Sequence, residues 1–198
     1  MKRILFVCTG NTCRSPMAEG MMRSIADRIG LTGLEVRSAG VAAYQGTPIS
    51  DHAASVLQDK GCQPSAGSNL LSQHLIEWSD LVLTMTSSHK RHTIQLYPAA
   101  VDKVYTLKEY VNADPEGEQR LAEMESLLSE LQLKQALGEP VSDEERRRLS
   151  TLQQQQASPD IADPYGGSIR QYQSCAEEIE RCLLLLADKL KHGTEHLG

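Results

Sequence analysis

Apolar residues fall along this chain in short blocks of two kinds, and the alternation between them predicts the architecture. Positions 4–7, Ile-Leu-Phe-Val, form an unbroken apolar run suited to a strand buried on both faces. Helical composition follows over 16–29, giving a strand, a glycine-containing loop and a helix in succession. The alternation then recurs. A strand is expected over 35–38, a helix over 48–60 ended by Gly61, a capped helix over 72–79 and a strand over 81–85. A helix over 88–97, a strand over 103–107 and a closing helix over 171–191 complete the series. The simplest packing is α/β, a four-stranded parallel sheet with helices on both faces and its active site at the carboxyl ends of the strands.

Residues 114–158 break this rhythm. Leu121, Met124, Leu128 and Leu131 recur at helical spacing, Gly138-Glu139-Pro140 interrupts, and Ser142 with Glu145 makes a capping-box pattern. This predicts a helical hairpin inserted into a single domain that spans 1–198. The glutamines at 153–156 read as the exposed tail of the second inserted helix or as a linker. The chain is expected to be a monomer, with the insertion as a candidate docking or dimer surface.

Charge narrows the function classes. Of 198 residues, 20 are Lys or Arg and 26 Asp or Glu, and the net charge of -6 argues against a nucleic-acid partner. The apolar run before Cys8 is brief and polar residues follow it, so neither a signal peptide nor a membrane span is expected, and the chain reads as cytoplasmic. Five cysteines, at 8, 13, 62, 175 and 182, make an odd count without export features. Reactivity explains at least one of them better than a disulfide framework does.

The segment Cys8-Thr9-Gly10-Asn11-Thr12-Cys13-Arg14-Ser15 spans a strand end and a helix start, where backbone N–H groups can curl toward one anion. Gly10 and Asn11 tolerate the left-handed dihedrals such a curl requires. The helix dipole, the loop amides and Arg14 favour a Cys8 thiolate, a nucleophile aimed at phosphorus. Arg14 offers a planar fork for two phosphate oxygens, and Ser15 can donate to the sulfur. A cysteine ending a buried strand is most often a small core residue. The Cys-x5-Arg-Ser frame between strand and helix reverses that expectation.

Phosphoryl transfer to sulfur needs an acid for the departing group, and Asp163-Pro164-Tyr165-Gly166-Gly167 is the best source. Pro164 stiffens the loop, the glycines free the next turn and Tyr165 can wall the substrate pocket. Asp114 before Pro115 competes but lacks the aromatic-glycine continuation. Cys13 is either a partner for reversible disulfide formation with Cys8 or an inert buried thiol. Cys175 and Cys182, about two helical turns apart, read as packing residues rather than a thiol relay. The histidines at 52, 74, 89, 92, 192 and 196 show no metal-ligand spacing, and Trp78 reads as a packing residue.

On these residues the chain resembles the low-molecular-weight protein-tyrosine phosphatase family. The resemblance runs through Val7 to Pro16, Arg37-Ser38-Ala39-Gly40, Asp80-Leu81-Val82-Leu83-Thr84-Met85 and Asp163-Pro164-Tyr165, and covers 1–112 and 159–191. Thr12 within the loop, the Asp-Pro-aromatic-Gly-Gly-Ser run and Thr106-Leu107-Lys108-Glu109-Tyr110 are similar to the protein-arginine phosphatase branch. The resemblance implies that Cys8 is the nucleophile, that Arg14 and the loop from Thr9 to Ser15 bind phosphate, and that Asp163 is acid and base. It implies further that Thr12 selects phosphoarginine, that the substrates are phosphorylated proteins, and that neither metal nor other cofactor is used. A tyrosine phosphatase, a thiol-relay arsenate reductase and a non-catalytic phosphate-binding module are the competing readings.

Overall fold

Residues 4–7 have no solvent-accessible surface, and their side chains alternate between two separate cores. Ile4 and Phe6 face one core with Met17, Met21, Leu83, Ile179 and Leu186, while Leu5 and Val7 face the other with Leu71, Ile76, Val82 and Val104. A strand buried on both faces in this way has to sit centrally in a sheet covered on both sides. The computed structural model describes residues 2–112, 115–155 and 158–195. Asp114, Gln156 and His196 therefore lie outside the described residues.

Strand β1 (Lys2–Cys8) is flanked by β2 (Leu34–Gly40) and β3 (Leu81–Thr84), and β4 (Val104–Thr106) lies outside β3. All pairs are parallel, in the order β2-β1-β3-β4, and the register sets Cys8 opposite Gly40 and Val7 opposite Thr84. The carboxyl ends of three strands thus meet where β1 turns into α1 (Arg14–Ile29). The first core packs α1 and α8 (Ile169–Glu195) against the sheet, and the second packs α3 (Gln73–Trp78) on the opposite face. Trp78 is half-buried against the second core with the Arg37 guanidinium 4.2 Å from its ring centre, a cation–π contact.

Three departures from the expected elements have local causes. The helix expected from 48 begins at Asp51 (α2, Asp51–Asp59), because Ser50 is extended and its N–H is spent on the Thr12 carbonyl at 2.9 Å. The strand expected over 103–107 is short, since a 3-10 turn occupies Pro98–Lys103 and α5 (Leu107–Asn112) starts at once. That start is a reciprocal capping box: Glu109 N–H donates to Thr106 Oγ1 and Thr106 N–H donates to Glu109 Oε2, both at 3.1 Å. Helix α4 (Ser87–Leu96) begins one residue early, with Thr86 accepting from His89 N–H at 3.2 Å.

Residues 112–158 form a second compact unit, distinct from 1–111 and 159–198. It contains α6 (Pro115–Ala136) and α7 (Asp143–Gln155), which pack against each other; Leu127 is buried and Met124, Leu128 and Leu131 are half-buried. Leu121 is helical, but its side chain lies outside the described residues, as do those of Gln153, Gln154 and Gln155. Ser142 and Glu145 cap α7 reciprocally, with Ser142 N–H to Glu145 Oε2 at 2.8 Å and Glu145 N–H to Ser142 Oγ at 3.2 Å. Lys134 pairs with Glu145, and Arg148 with Glu123, across the two helices. Among the described residues no helix is long and apolar enough to cross a membrane.

Candidate active site

Between the end of β1 and the start of α1 the chain has only residues 9–13 in which to reverse, and the reversal is made by Asn11, whose φ is +54°. Asparagine enters this left-handed region more readily than most residues with a Cβ. Here three bonds hold it: Oδ1 accepts from Asn69 N–H at 2.7 Å, and Nδ2 donates to Ser15 Oγ and Ser38 Oγ, each at 2.8 Å. Gly10, expected to share the left-handed role, does not need positive φ. The glycine that the loop depends on is instead Gly40. A Cβ there would strike the Thr9 carbonyl and come within 2.8 Å of Asn11 N. Cradle and β2 are therefore in backbone contact.

Cys8 is 3% exposed, and its sulfur lies 3.0 Å from Ser15 Oγ. When the sulfur is a thiolate the hydroxyl is the donor, so Ser15 stabilises the charged form. Behind Ser15 the polar chain continues inward. Ser38 donates to Glu19, a carboxylate 4% exposed, and Glu19 pairs with Arg23. Burial raises the Glu19 pKa above the usual carboxylate value, against the pull of Ser38 and Arg23.

Arg14 is 4% exposed and divides its donors between two tasks. Nη1 donates to the Ile161 carbonyl at 3.1 Å and Nη2 to Asp163 Oδ2 at 2.8 Å, while Nε is buried without a hydrogen-bond partner among the described residues. An unpaired buried donor on a cation costs about 1–3 kcal/mol or more, and an anion in the cradle would accept from it. The start of α1 adds to this, since its N-cap, Cys13, makes no capping bond with its side chain and the first turn carries no acidic residue. First-turn N–H groups are then open to a bound anion.

Asp163 is half exposed and belongs to an Asx turn, with Tyr165 N–H donating to its Oδ1 at 3.2 Å. The stem of this loop is tied down. Ile161 N–H donates to Met85 O at 2.8 Å, Lys108 Nζ to the Asp160 carbonyl at 2.9 Å, and Ser87 N–H and Oγ to Asp160 Oδ1 at 2.7 and 2.9 Å. Tyr165 stands 76% exposed at the loop surface. Sequence-predicted Cys8, Arg14 and Asp163 are thus linked through one guanidinium and one loop. Thr12 is half-buried, with Oγ1 3.5 Å from Cys13 Sγ.

Cys13 sits beneath the cradle, its sulfur 3.2 Å from the Tyr172 hydroxyl and 3.5 Å from Ser50 Oγ. Burial first, and the Cys13 contact second, push Tyr172 up to about 12. Burial likewise raises Cys175 to about 12 and raises Cys182. Both remain thiols at neutral pH, poor nucleophiles for a relay.

His89 is the site residue that spacing did not reveal. Its Nε2 lies 2.8 Å from Thr9 Oγ1 in the cradle and its Nδ1 2.8 Å from Thr86 Oγ1. Burial and then the Arg14 charge lower it to about 4, partly offset by Asp163 and Asp160, so the ring is neutral at pH 7. Thr86, an N-cap three residues ahead, is the signal that sets His89 in a first helical turn.

Comparison with known proteins accords with this geometry. The model of the family described as low molecular weight phosphotyrosine protein phosphatase matches residues 3–124, which include the cradle. A protein-arginine-phosphatase of Geobacillus stearothermophilus is 35% identical over 189 residues, covering 96% of each chain. A crystal structure of a YwlE mutant from Bacillus subtilis superposes with a TM-score of 0.72 at 35% identity, over 96% of this chain and 99% of that one. A structure of the YwlE arginine phosphatase, in which a cysteine is replaced by serine and the active-site serine is phosphorylated, gives 0.71 at 35% identity, over 96% and 95%. With its family model matched over most of its length and its relatives aligned nearly end to end, the chain belongs to the low-molecular-weight phosphotyrosine protein phosphatase family.

Proposed function

We propose that the protein is a metal-free phosphatase that hydrolyses phosphoarginine on proteins through a phosphocysteine intermediate. The observation that carries this reading is the Arg14 guanidinium, which holds Asp163 with one arm and keeps a buried Nε without a partner among the described residues, on the residue that precedes Ser15, whose hydroxyl lies 3.0 Å from Cys8 Sγ. In the first step the Cys8 thiolate forms an S–P bond, the P–N bond breaks, and the leaving guanidine nitrogen takes the Asp163 proton. In the second, water attacks phosphorus while Asp163 takes its proton, the S–P bond breaks back to thiolate, and inorganic phosphate departs. Arg14 and the cradle amides bind the phosphoryl oxygens and follow them through both transition states.

Phosphoarginine is favoured over phosphotyrosine by the relatives that bear the protein-arginine-phosphatase name and span nearly the whole chain. The phosphorylated serine in one of them supports a covalent route through the equivalent of Cys8. Thr12 is the residue that would set the preference, its hydroxyl and branched shape lining the loop where an aliphatic residue offers no hydrogen bond. A specific observation also speaks for phosphotyrosine: the exposed Tyr165 ring beside Asp163 suits stacking on an aryl group. A free thiolate nucleophile requires a reducing compartment, which supports a cytosolic location. The helical segment at about 114–158 is taken as an insertion into one phosphatase domain.

Rates on matched phosphoarginine and phosphotyrosine peptides test the reading. Faster turnover of phosphoarginine is expected, with Thr12→Ile moving the preference toward phosphotyrosine. A strong preference of the wild-type protein for phosphotyrosine overturns it, and activity retained in Cys8→Ala, which has no nucleophile at that position, removes the covalent route.

A further inference from the structure

We propose that Asp160 is a positioning residue for the acid: by fastening the stem of the Asp163 loop to the first turn of α4, it sets where the Asp163 carboxyl stands over the cradle. The inference rests on the reading of Asp163 as proton donor given above.

Asp163 cannot hold its own position. Its side chain is half exposed, and its bonds are to Arg14 Nη2, which must also serve the anion, and to Tyr165 N–H within its own turn. Placement of the carboxyl therefore falls to the stem that precedes it. Three residues earlier, Asp160 Oδ1 accepts from both the N–H and the hydroxyl of Ser87, at 2.7 and 2.9 Å.

Ser87 is the first residue of α4, and its N–H is among those a helix start leaves without an intrahelical acceptor. Thr86 satisfies the N–H of His89, and Asp160 satisfies that of Ser87 from 73 residues away. A carboxylate is favoured there by the helix dipole. This is capping from outside, a tie between two elements rather than a local turn. Lys108, bonded to the Asp160 carbonyl and paired with Glu178, braces the same residue from behind.

The same turn of α4 reaches the cradle. His89 bonds Thr86 through one nitrogen and Thr9, the residue after Cys8, through the other, each at 2.8 Å. One helical turn thus touches the nucleophile's loop through His89 and the acid's loop through Asp160. The spacing of nucleophile and acid is fixed by that turn, and a displacement of about 1 Å at a reacting group can cost a hundredfold in rate.

Leaving-group dependence separates this role from simple capping. 4-Nitrophenyl phosphate expels an anion that needs little protonation, whereas phenyl phosphate expels a basic one that needs the acid. Measured as kcat/KM, Asp160→Ala should lose about 10–100-fold on phenyl phosphate but less than about threefold on 4-nitrophenyl phosphate, with inhibition by inorganic phosphate unchanged. Asp160→Asn keeps the Oδ1 acceptor and should restore both rates to within about threefold. Ser87→Ala removes one of the two donors and should fall between, which carries the test if Asp160→Ala does not fold. Equal losses on both esters, or no loss on either, overturn the proposal. Asp163→Asn is measured alongside. If it too treats the two esters alike, the acid assignment itself falls, whereas a selective loss in Asp163→Asn with none in Asp160→Ala or Ser87→Ala overturns the positioning role alone.

Discussion

Arg14 donates to Asp163 Oδ2 at 2.8 Å while its own Nε is buried with no partner among the described residues, so the side chain suited to grip an anion also grips the carboxyl proposed as the acid. The fork geometry of a guanidinium allows both; a point charge on a flexible stem allows one at a time.

Arg14→Lys should therefore fail in two ways at once. We expect kcat to fall about 100–1000-fold, the scale of losing an electrostatic stabiliser of the transition state, together with weaker inhibition by inorganic phosphate. Steady-state kinetics with phosphate as competitor checks this, and kcat within about threefold of wild type would show that the fork is dispensable.

Gly40→Ala tests the contact between β2 and the cradle. A methyl group there meets the Thr9 carbonyl and Asn11 N, and backbone atoms cannot swing aside as a side chain can. The expected cost is about 1–3 kcal/mol of stability, from urea unfolding, with a loss of activity that exceeds what the unfolded fraction explains. An alanine variant with normal stability and kinetics would contradict the close approach.

The pH dependence of stability should carry a signature of His89. Its folded value, about 4, lies below the ordinary 6.5, so the neutral ring is favoured by folding. The contribution is fully present above pH 6.5 and is lost as pH falls from 6.5 through about 4. His89→Asn should shrink the difference in unfolding free energy between pH 7 and pH 4.5, and NMR titration should find the wild-type ring neutral until well below pH 6. A ring that titrates at its ordinary value would refute the burial argument.

Tyr172→Phe removes the hydroxyl beside Cys13 without opening a large cavity. Loss of one buried hydrogen bond costs about 1 kcal/mol, or roughly 2–4 °C in Tm for a domain of this size. Scanning calorimetry reads the shift directly. An unchanged Tm would mean that the Cys13–Tyr172 contact contributes nothing net.

Much of this was legible from residue order, for reasons that can be named. The run at 4–7 is apolar at every position, and only a central strand with both faces covered accommodates that. The Cys-x5-Arg-Ser frame and the Asp-Pro loop are compact patterns whose chemistry depends on local geometry, so they could be found in order along the chain. His89, Asp160 and Gly40 were not, because each acts on a residue far from it in sequence: Thr9, Ser87 and the Asn11 loop. The start of α5 is different. Thr106 and Glu109 form a capping box as plain as the one at Ser142 and Glu145, and the strand pattern over 103–107 masked it.

Arg14 and Asp163 stand 149 residues apart in the chain. During synthesis the cradle therefore leaves the ribosome long before its partner loop, and α8, which supplies Tyr172, Ile179 and Leu186 to the core around α1, emerges after both. A nascent or truncated chain that stops before residue 160 carries the thiol and the loop but has neither the carboxyl nor the helix that completes the packing. The packing around the cradle and its link to the Asp163 loop are therefore complete only once residues 160–195 have been made.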